Sequence, residues 1–297
     1  MSARAWALFA AVSVLWGIPY FFIKVAVDDG ISPFFLSWAR LVLAAAVLLA
    51  LAWRAGTFGP LRGRGRWIAL FALIEIALPF PLIAAGEQHV ASSLTAILIA
   101  AVPLFVAILA VRFDPDERVT GWRLVGLFVG LAGVVALVGI DVAGSGDELL
   151  GALAILLAAL GYAAGPMILK RQLAAVDTRA TMGASLATAA LLLTVPALLA
   201  WPDETPSGDS LASIAVLGLF CTAAAFVCWG LLVAEAGPAR SSLITYVAPV
   251  VAIALGVAIL DESLGIGAAL GLVLILTGSW LATRGGADEQ LEEPARV

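Results

Sequence analysis

Charge is scarce in this chain, and so are the side chains that carry most enzymatic chemistry. Of its 297 residues only 12% are Asp, Glu, Lys or Arg, with one histidine and two cysteines. Soluble domains carry roughly a quarter charged residues, so an ordinary water-facing surface is excluded. The sequence holds no H-E-x-x-H, no Gly-rich phosphate loop ahead of a lysine, and no cluster of Cys and His at metal spacing. With His89 alone there is poor material for nucleophilic catalysis inside a bilayer. No enzyme, metal site or cofactor is therefore expected. Cys221 and Cys228 share one apolar run, and as a helix that spacing separates them by about 10 Å, too far for a disulfide. They read as small core residues. The formal charge of -5 says little, because Asp288, Glu289, Glu292 and Glu293 crowd into the C-terminal stretch, and no nucleic-acid partner is expected.

What the chain has in excess is apolar length. Hydrophobic residues make up 63%, and the mean hydropathy is +1.08. A helix needs about 20 apolar residues to cross the hydrocarbon core. Ten runs of that kind lie near 5–27, 31–53, 67–87, 91–111, 122–140, 149–169, 180–201, 211–234, 241–260 and 264–283. They are too long for the strands of a membrane barrel. Arg4 ahead of the first run imitates a secretory signal, but the spans that follow mark it as a first span that is kept. With the N-terminus inside, 14 of the 16 Lys and Arg fall in inner segments. Lys24 and Arg40 lie within spans. Positively charged loops stay in the cytoplasm, so both termini are expected there, in a multi-pass protein of the cytoplasmic membrane.

The chain also resembles itself. A shift of 146 residues puts Lys24 on Lys170, Trp16 on Tyr162, Pro19 on Gly165 beside Pro166, Thr95 on Ser241 and Pro103 on Pro249. One residue less puts Asp116-Glu117 on Asp261-Glu262, Gly126 on Gly271 and Gly133 on Gly278. The expected organisation is a five-helix repeat at 5–140, a second at 149–284 and an acidic tail at 285–297. Five is odd, so the second repeat enters the membrane from the opposite side. Secondary transporters commonly use such inverted repeats, with helices broken by Gly or Pro near a midplane site. Breakers recur here at Gly17 and Pro19, Pro79 and Pro81, Pro103, Gly165 and Pro166, and Pro249. Ordinary packing kinks are the competing reading.

Three stretches carry a family resemblance: WGIPYFFIKVAVDDGISPFFLSWARLVLAA at 16–45, LPFPLIAAGEQHVASSLTAILIAAVPLFVAILA at 78–110, and DERVTGWRLVGLFVGLAGVVAL at 116–137. The segment at 241–283 repeats the pattern. They resemble the drug/metabolite transporter superfamily in its ten-helix EamA-type branch, from about 6 to 283. The resemblance implies an all-α fold with helices 1, 3, 4, 6, 8 and 9 around a central cavity, and helices 5 and 10 at the periphery. It also implies a carrier, mostly an exporter or exchanger, of amino acids, amines, drug-like solutes or other metabolites. Ile99-Ala100-Ala101 is apolar where the family often has Asn or Thr, which weighs against a strongly polar substrate.

Glu75 is the residue most out of place. It falls about 12 Å into the third span, where an ionised carboxylate costs about 2.5–3.5 kcal/mol on insertion scales. It should bind a proton or a substrate amine, pair with Arg40, or pack as a neutral acid. Arg40 has no counterpart in the second half, where Leu186 matches it, and is read as pairing with an acid or binding a substrate carboxylate. Lys24 is expected to snorkel to the interface. Ser242, Thr245, Tyr246 and Pro249 share a helical face read as cavity lining, with interhelical hydrogen bonding as its rival. Trp16, Tyr20, Tyr162 and Trp229 are candidate apolar or cation-binding walls, and Pro19, Pro79 and Pro103 complete the candidate substrate cavity. Trp53, Trp67 and Trp201 read as interface anchors, and His89, after Glu87, as a solvated loop residue or a gate. Gly126/Gly130, Gly161/Gly165 and Gly267/Gly271 fit G-x-x-x-G. Helices 5 and 10 could use theirs on each other or on a second subunit. The implied partners are a small-molecule substrate, the lipid bilayer and a coupling proton.

Overall fold

The computed structural model describes residues 1–113, 121–142 and 145–283. Asp116, Glu117, Arg118, Arg284, Arg296, the tail at 285–297 and the side chain of Arg112 lie outside the described residues. Every regular element described is helical. Eight helices are long and apolar enough to cross a membrane: α1 (Ala3–Asp28), α2 (Pro33–Arg54), α3 (Gly65–Glu87), α4 (Ser92–Ala110), α5 (Trp122–Val142), α6 (Gly146–Leu173), α7 (Thr178–Leu199) and α8 (Gly208–Ala236). Two shorter apolar helices follow, α9 (Ile244–Ile259) and α10 (Ile266–Ala282). Large apolar side chains such as Phe128, Val135, Leu191 and Leu199 face outward, as they must when the surrounding solvent is hydrocarbon.

Local chemistry sets where the helices begin and end. Gly30, at φ 85°, closes α1, with bonds from its N–H to Val27 and from Ile31 to Ala26. Pro33 then opens α2 at a first-turn position whose N–H would be unused. Ser145, Asp177 and Ser207 accept first-turn N–H groups at the starts of α6, α7 and α8.

Long-range contacts sort the helix ends into two groups. At one end Ser2 and Arg4 meet Glu235, the Arg64 guanidinium donates to the Gln172 carbonyl at 2.5 Å, and Arg123 donates to the Ala282 carbonyl at 3.1 Å. At the other, the Ser210 hydroxyl donates to Asp29 at 2.6 Å. There too Glu262 accepts from the Ser92 and Ser93 N–H groups at 2.7 and 2.9 Å, and Asp141 accepts from Gly267 and Ala268 at 3.1 and 2.5 Å. Asp261 takes left-handed backbone at φ 53°, a conformation Asp tolerates, and so turns the chain that delivers Glu262. The first end is basic and the second acidic, with Lys24 close to it and the buried Arg40 within electrostatic reach of Glu87 there.

The helices pack in pairs, chiefly α5 with α10, α2 with α7, α3 with α6, and α1 with α8 and α9. The α5–α10 seam is made of glycine. A Cβ on Gly278 would lie 2.5 Å from Gly130 Cα and 2.6 Å from the Gly126 carbonyl, and one on Gly133 would meet Leu274 Cβ at 2.8 Å. Of the two roles open for these glycines, the structure uses them on the partner helix of the same chain. Gly161 and Gly165 instead let α6 approach α3.

Breaks occur in the first half where the sequence suggests them. α1 is interrupted at Ile18 between Gly17 and Pro19, and α4 at Ala100–Ala101 just ahead of Pro103. α3 widens into π-form over Ala72–Ala77, and Pro79 restarts it. The matching prolines of the second half differ, since α6 runs on through Pro166 and α9 through Pro249. Each removes one backbone bond, and neighbouring helices hold the rest in register. α6 takes up its distortion one turn later, in a π segment over Leu169–Leu173.

Candidate functional site

Glu75 lies within the π segment of α3, about 15 Å from the start of that helix. Pro79 has no N–H to offer the Glu75 carbonyl four residues earlier. The widened turn and the missing donor leave backbone and side-chain acceptors at the same level. Across from it, α6 presents no side chain at two positions. A Cβ on Gly161 would meet the Ile74 carbonyl at 2.5 Å, and one on Gly165 would run into the Glu75 carboxyl, with Cδ at 2.7 Å. The carboxylate thus packs against Gly165, and its Oε2 is buried without a hydrogen-bond partner. Such an atom carries the full desolvation cost until a proton, a cation or water satisfies it.

Arg40 is the basic counterpart, 7% exposed on α2. Its Nη2 donates to the Thr222 hydroxyl at 3.1 Å, and that hydroxyl donates to the Leu217 carbonyl at 2.8 Å. Thr222 sits in the π segment Val216–Ala224 of α8. The guanidinium also stacks 4.3 Å from the Phe80 ring centroid. Its Nε has no partner. No ion pair joins Arg40 to Glu75 among the described residues, so the pairing considered from sequence is absent. Tyr20 and Tyr162, both half-buried, lie within electrostatic reach of Arg40, and Tyr162 also of Glu75. α1, α2, α3, α6 and α8 therefore contribute to one polar centre in an apolar interior.

Of the residues singled out by sequence, Tyr20, Arg40, Glu75, Pro79 and Tyr162 come together here. Trp16 and Trp229 form a separate aromatic group between α1 and α8, with centroids 6.1 Å apart and Phe226 5.9 Å from Trp16. Pro19 and Pro103 flank the breaks of their helices. Ser242 precedes α9, and Tyr246 is one turn or less into it, so this face lies toward the basic end. Thr245 donates its hydroxyl to the Ser242 carbonyl at 2.7 Å, while Pro249 is buried deeper along α9. A cavity of about 380 Å³ lies elsewhere, at the basic end between α3 and α6, lined by Arg64, Trp67, Arg171 and Gln172 among others. Lys24 does not simply snorkel: its ammonium pairs with Asp28 at 2.8 Å and donates to the Glu87 carbonyl at 2.9 Å. His89 lies beside Gly151 at the start of α6. Sequence reasoning passed over Thr222, Phe80 and the burial of Glu87. Thr222 is one of two hydroxyls in the run 211–234, with Ser213, and the position of Phe80 five residues past Glu75 carries no signal.

A bundle of apolar helices, several broken near their middles around a small set of buried charges, defines a membrane transporter fold. Sequence comparison gives the class its family: the EamA-like transporter family matches twice, over residues 4–139 and 149–284. The chain belongs to that family. It is 31% identical over 266 residues to the uncharacterized inner membrane transporter YedA of Escherichia coli K12, covering 87% of this chain and 83% of that one. It is also 31% identical over 272 residues to a probable terminal-alkyne amino-acid exporter of Streptantibioticus cattleyicolor, covering 88% and 87%. The uncharacterized transporter YoaV of Bacillus subtilis matches at 25% over 277 residues, covering 92% and 94%. A protein of known crystal structure superposes with a TM-score of 0.66 at 22% identity, over 99% of this chain and 100% of the other, which speaks to the fold alone.

Proposed function

We propose that this protein is a secondary transporter exporting small metabolites by alternating access, with Glu75 as its proton-coupling carboxylate. The observation that carries the reading is the Glu75 oxygen, buried without a partner where α3 is unwound against Gly165. On this reading all ten helices span the cytoplasmic membrane as two inverted five-helix repeats, 5–140 and 149–284, and the basic end with both termini faces the cytoplasm. The pairing of α5 with α10 and α2 with α7 supports it, since each joins corresponding helices of the two halves. The end contacts support it too: Asp29 after α1 meets Ser210 at the start of α8, and Gln172 near the end of α6 meets Arg64 at the start of α3. A shift of 146 relates Arg64 to Ser210.

The substrate class is amino acids, amines or drug-like solutes. Arg40, with free donor capacity, suits a carboxylate, and Glu75 suits an amine or a proton. Tyr20 and Tyr162 supply amphipathic walls, and the apolar Ile99–Ala101 turn sets a limit on polarity. A probable terminal-alkyne amino-acid exporter among the relatives makes amino acids the first class to assay. In proteoliposomes, counterflow is measured against a panel of labelled amino acids, amines and drugs, and the active solute is followed under an imposed pH gradient. Wild type should accumulate it and Glu75→Gln should exchange it without accumulation. Equal gradient-driven transport by both removes the coupling role, and the absence of counterflow across the panel removes the substrate class.

A further inference from the structure

Glu87 ends α3 at the acidic end and is fully buried, yet neither carboxylate oxygen has a hydrogen-bond partner. Nothing in the transport reading uses it. The nearest cation is Lys24, but its ammonium is committed to Asp28 Oδ1 at 2.8 Å and to the backbone carbonyl of Glu87 at 2.9 Å. The groups facing Glu87 are Tyr20, Lys24 and Asp28 from α1, Arg40 from α2 and Glu262 from the α9–α10 turn; His89 follows on its own turn. Arg40 directs Nη2 to Thr222 and stacks on Phe80, and it makes no hydrogen bond to Glu87 although its Nε is unpartnered. Glu262 is a second acid, committed to the Ser92 and Ser93 amides. On the α6 side, Gly86 abuts Ile155 and Gly151, which bring no charge. An ionised carboxylate here would have two bare, buried oxygens, with two acids near it and neither Lys24 nor Arg40 bonded to it. The same group carrying a proton is an uncharged side chain among apolar neighbours.

We propose that Glu87 is a second proton-binding site, at the acidic end of the bundle, occupied while α1, α3 and α4 are closed over it. The step is a plain proton transfer: an O–H bond of a hydronium ion at that end breaks as one forms on a Glu87 Oε, leaving water, and reopening returns the proton to water as hydronium. Tyr20 and Arg40 lie within electrostatic reach of Glu87, and Tyr162 within reach of Tyr20, Arg40 and Glu75, so one buried polar track links the two acids. The inference deepens the transporter reading and rests on it for its purpose, but its test needs no transport.

The full chain is reconstituted in lipid nanodiscs, and infrared spectra are taken at neutral pH for wild type, Glu87→Gln, Glu75→Gln and Lys24→Met. Wild type minus Glu87→Gln should show one protonated-carboxyl C=O stretch at a frequency different from any removed by Glu75→Gln. If that difference holds only carboxylate stretches, the proposal is overturned. Lys24→Met guards against misfolding of the first variant. If Lys24 were holding Glu87 ionised, its removal would create a protonated-carboxyl band absent from wild type, and that too would overturn the proposal; an unchanged band supports it. Loss of the band on adding sodium chloride at fixed pH would make this a sodium site and refute the proton assignment. Failure of the Glu75→Gln transport assay would leave all of these readings standing.

Discussion

Replacing Gly165 by alanine tests the contact on which the site is built. A Cβ there would sit 2.7 Å from Glu75 Cδ and 2.9 Å from Glu75 Cβ, whereas carbon atoms settle at about 3.5–4.0 Å. The carboxyl or the helix must therefore move by about 1 Å, the gap between those distances. The backbone has little room to give, because one turn away Gly161 is already against the Ile74 carbonyl. Overpacking of this kind typically costs about 1–3 kcal/mol, and the same push should carry the carboxyl off α6. The measurement is reversible unfolding in mixed micelles of Gly165→Ala, Glu75→Ala and the double variant. Glu75→Ala removes the carboxyl but keeps its Cβ, so the Gly165→Ala cost should shrink in that background without vanishing. A coupling of about 1 kcal/mol is expected, inside the range seen for touching residues. Costs that add within about 0.5 kcal/mol, as for independent sites, would refute the contact and with it the geometry assigned to Glu75.

Glu262 gives a pH signature outside the spans. Burial pushes its carboxyl up, and the hydrogen bonds from Ser93 and Ser92 outweigh this and hold it below the ordinary glutamate value. A lowered acid stabilises the fold above its unfolded-state value and loses that contribution as pH falls through the folded one. The stability gap between wild type and Glu262→Ala should therefore be full at neutral pH, about 0.5–2 kcal/mol as for a helix cap, and should close as the solution is acidified below about pH 4; a gap independent of pH would contradict the capping role. At the α5–α10 seam, Gly278→Val should abolish recovery of monodisperse protein, whereas Gly139→Val, with open space around it, should be recovered normally on size-exclusion chromatography. Equal recovery would mean that the seam is not close-packed.

Much of this architecture was legible because membranes simplify the problem. Span limits follow from apolar length alone, and the helices begin and end within a few residues of the runs in the sequence. The repeat marks candidate breakers in both halves, but pattern alone does not say which prolines interrupt a helix. Pro19 and Pro103 sit beside Gly17 and the Ala100–Ala101 turn, where the backbone yields, whereas Pro166 and Pro249 are held inside continuous helices. Glu75 and Arg40 were conspicuous as charges in apolar runs, yet their partners were not. Arg40 finds a threonine and a phenylalanine rather than an acid, and both lie far off in sequence or out of phase. Glu87 closes an apolar run two residues before His89 and carries no sequence signal of its own, and only tertiary packing buries it.

The glycine seam between α5 and α10 has a mechanical consequence. Two rods that meet backbone to backbone have no interlocking rotamers to reset when one tilts against the other, and ordering them freezes little side-chain entropy. Ridged surfaces resist rolling, while smooth ones act as a bearing. A joint of this build can stay in contact along its length while the bodies it connects rock, so a close-packed seam is also one well suited to serve as an axle.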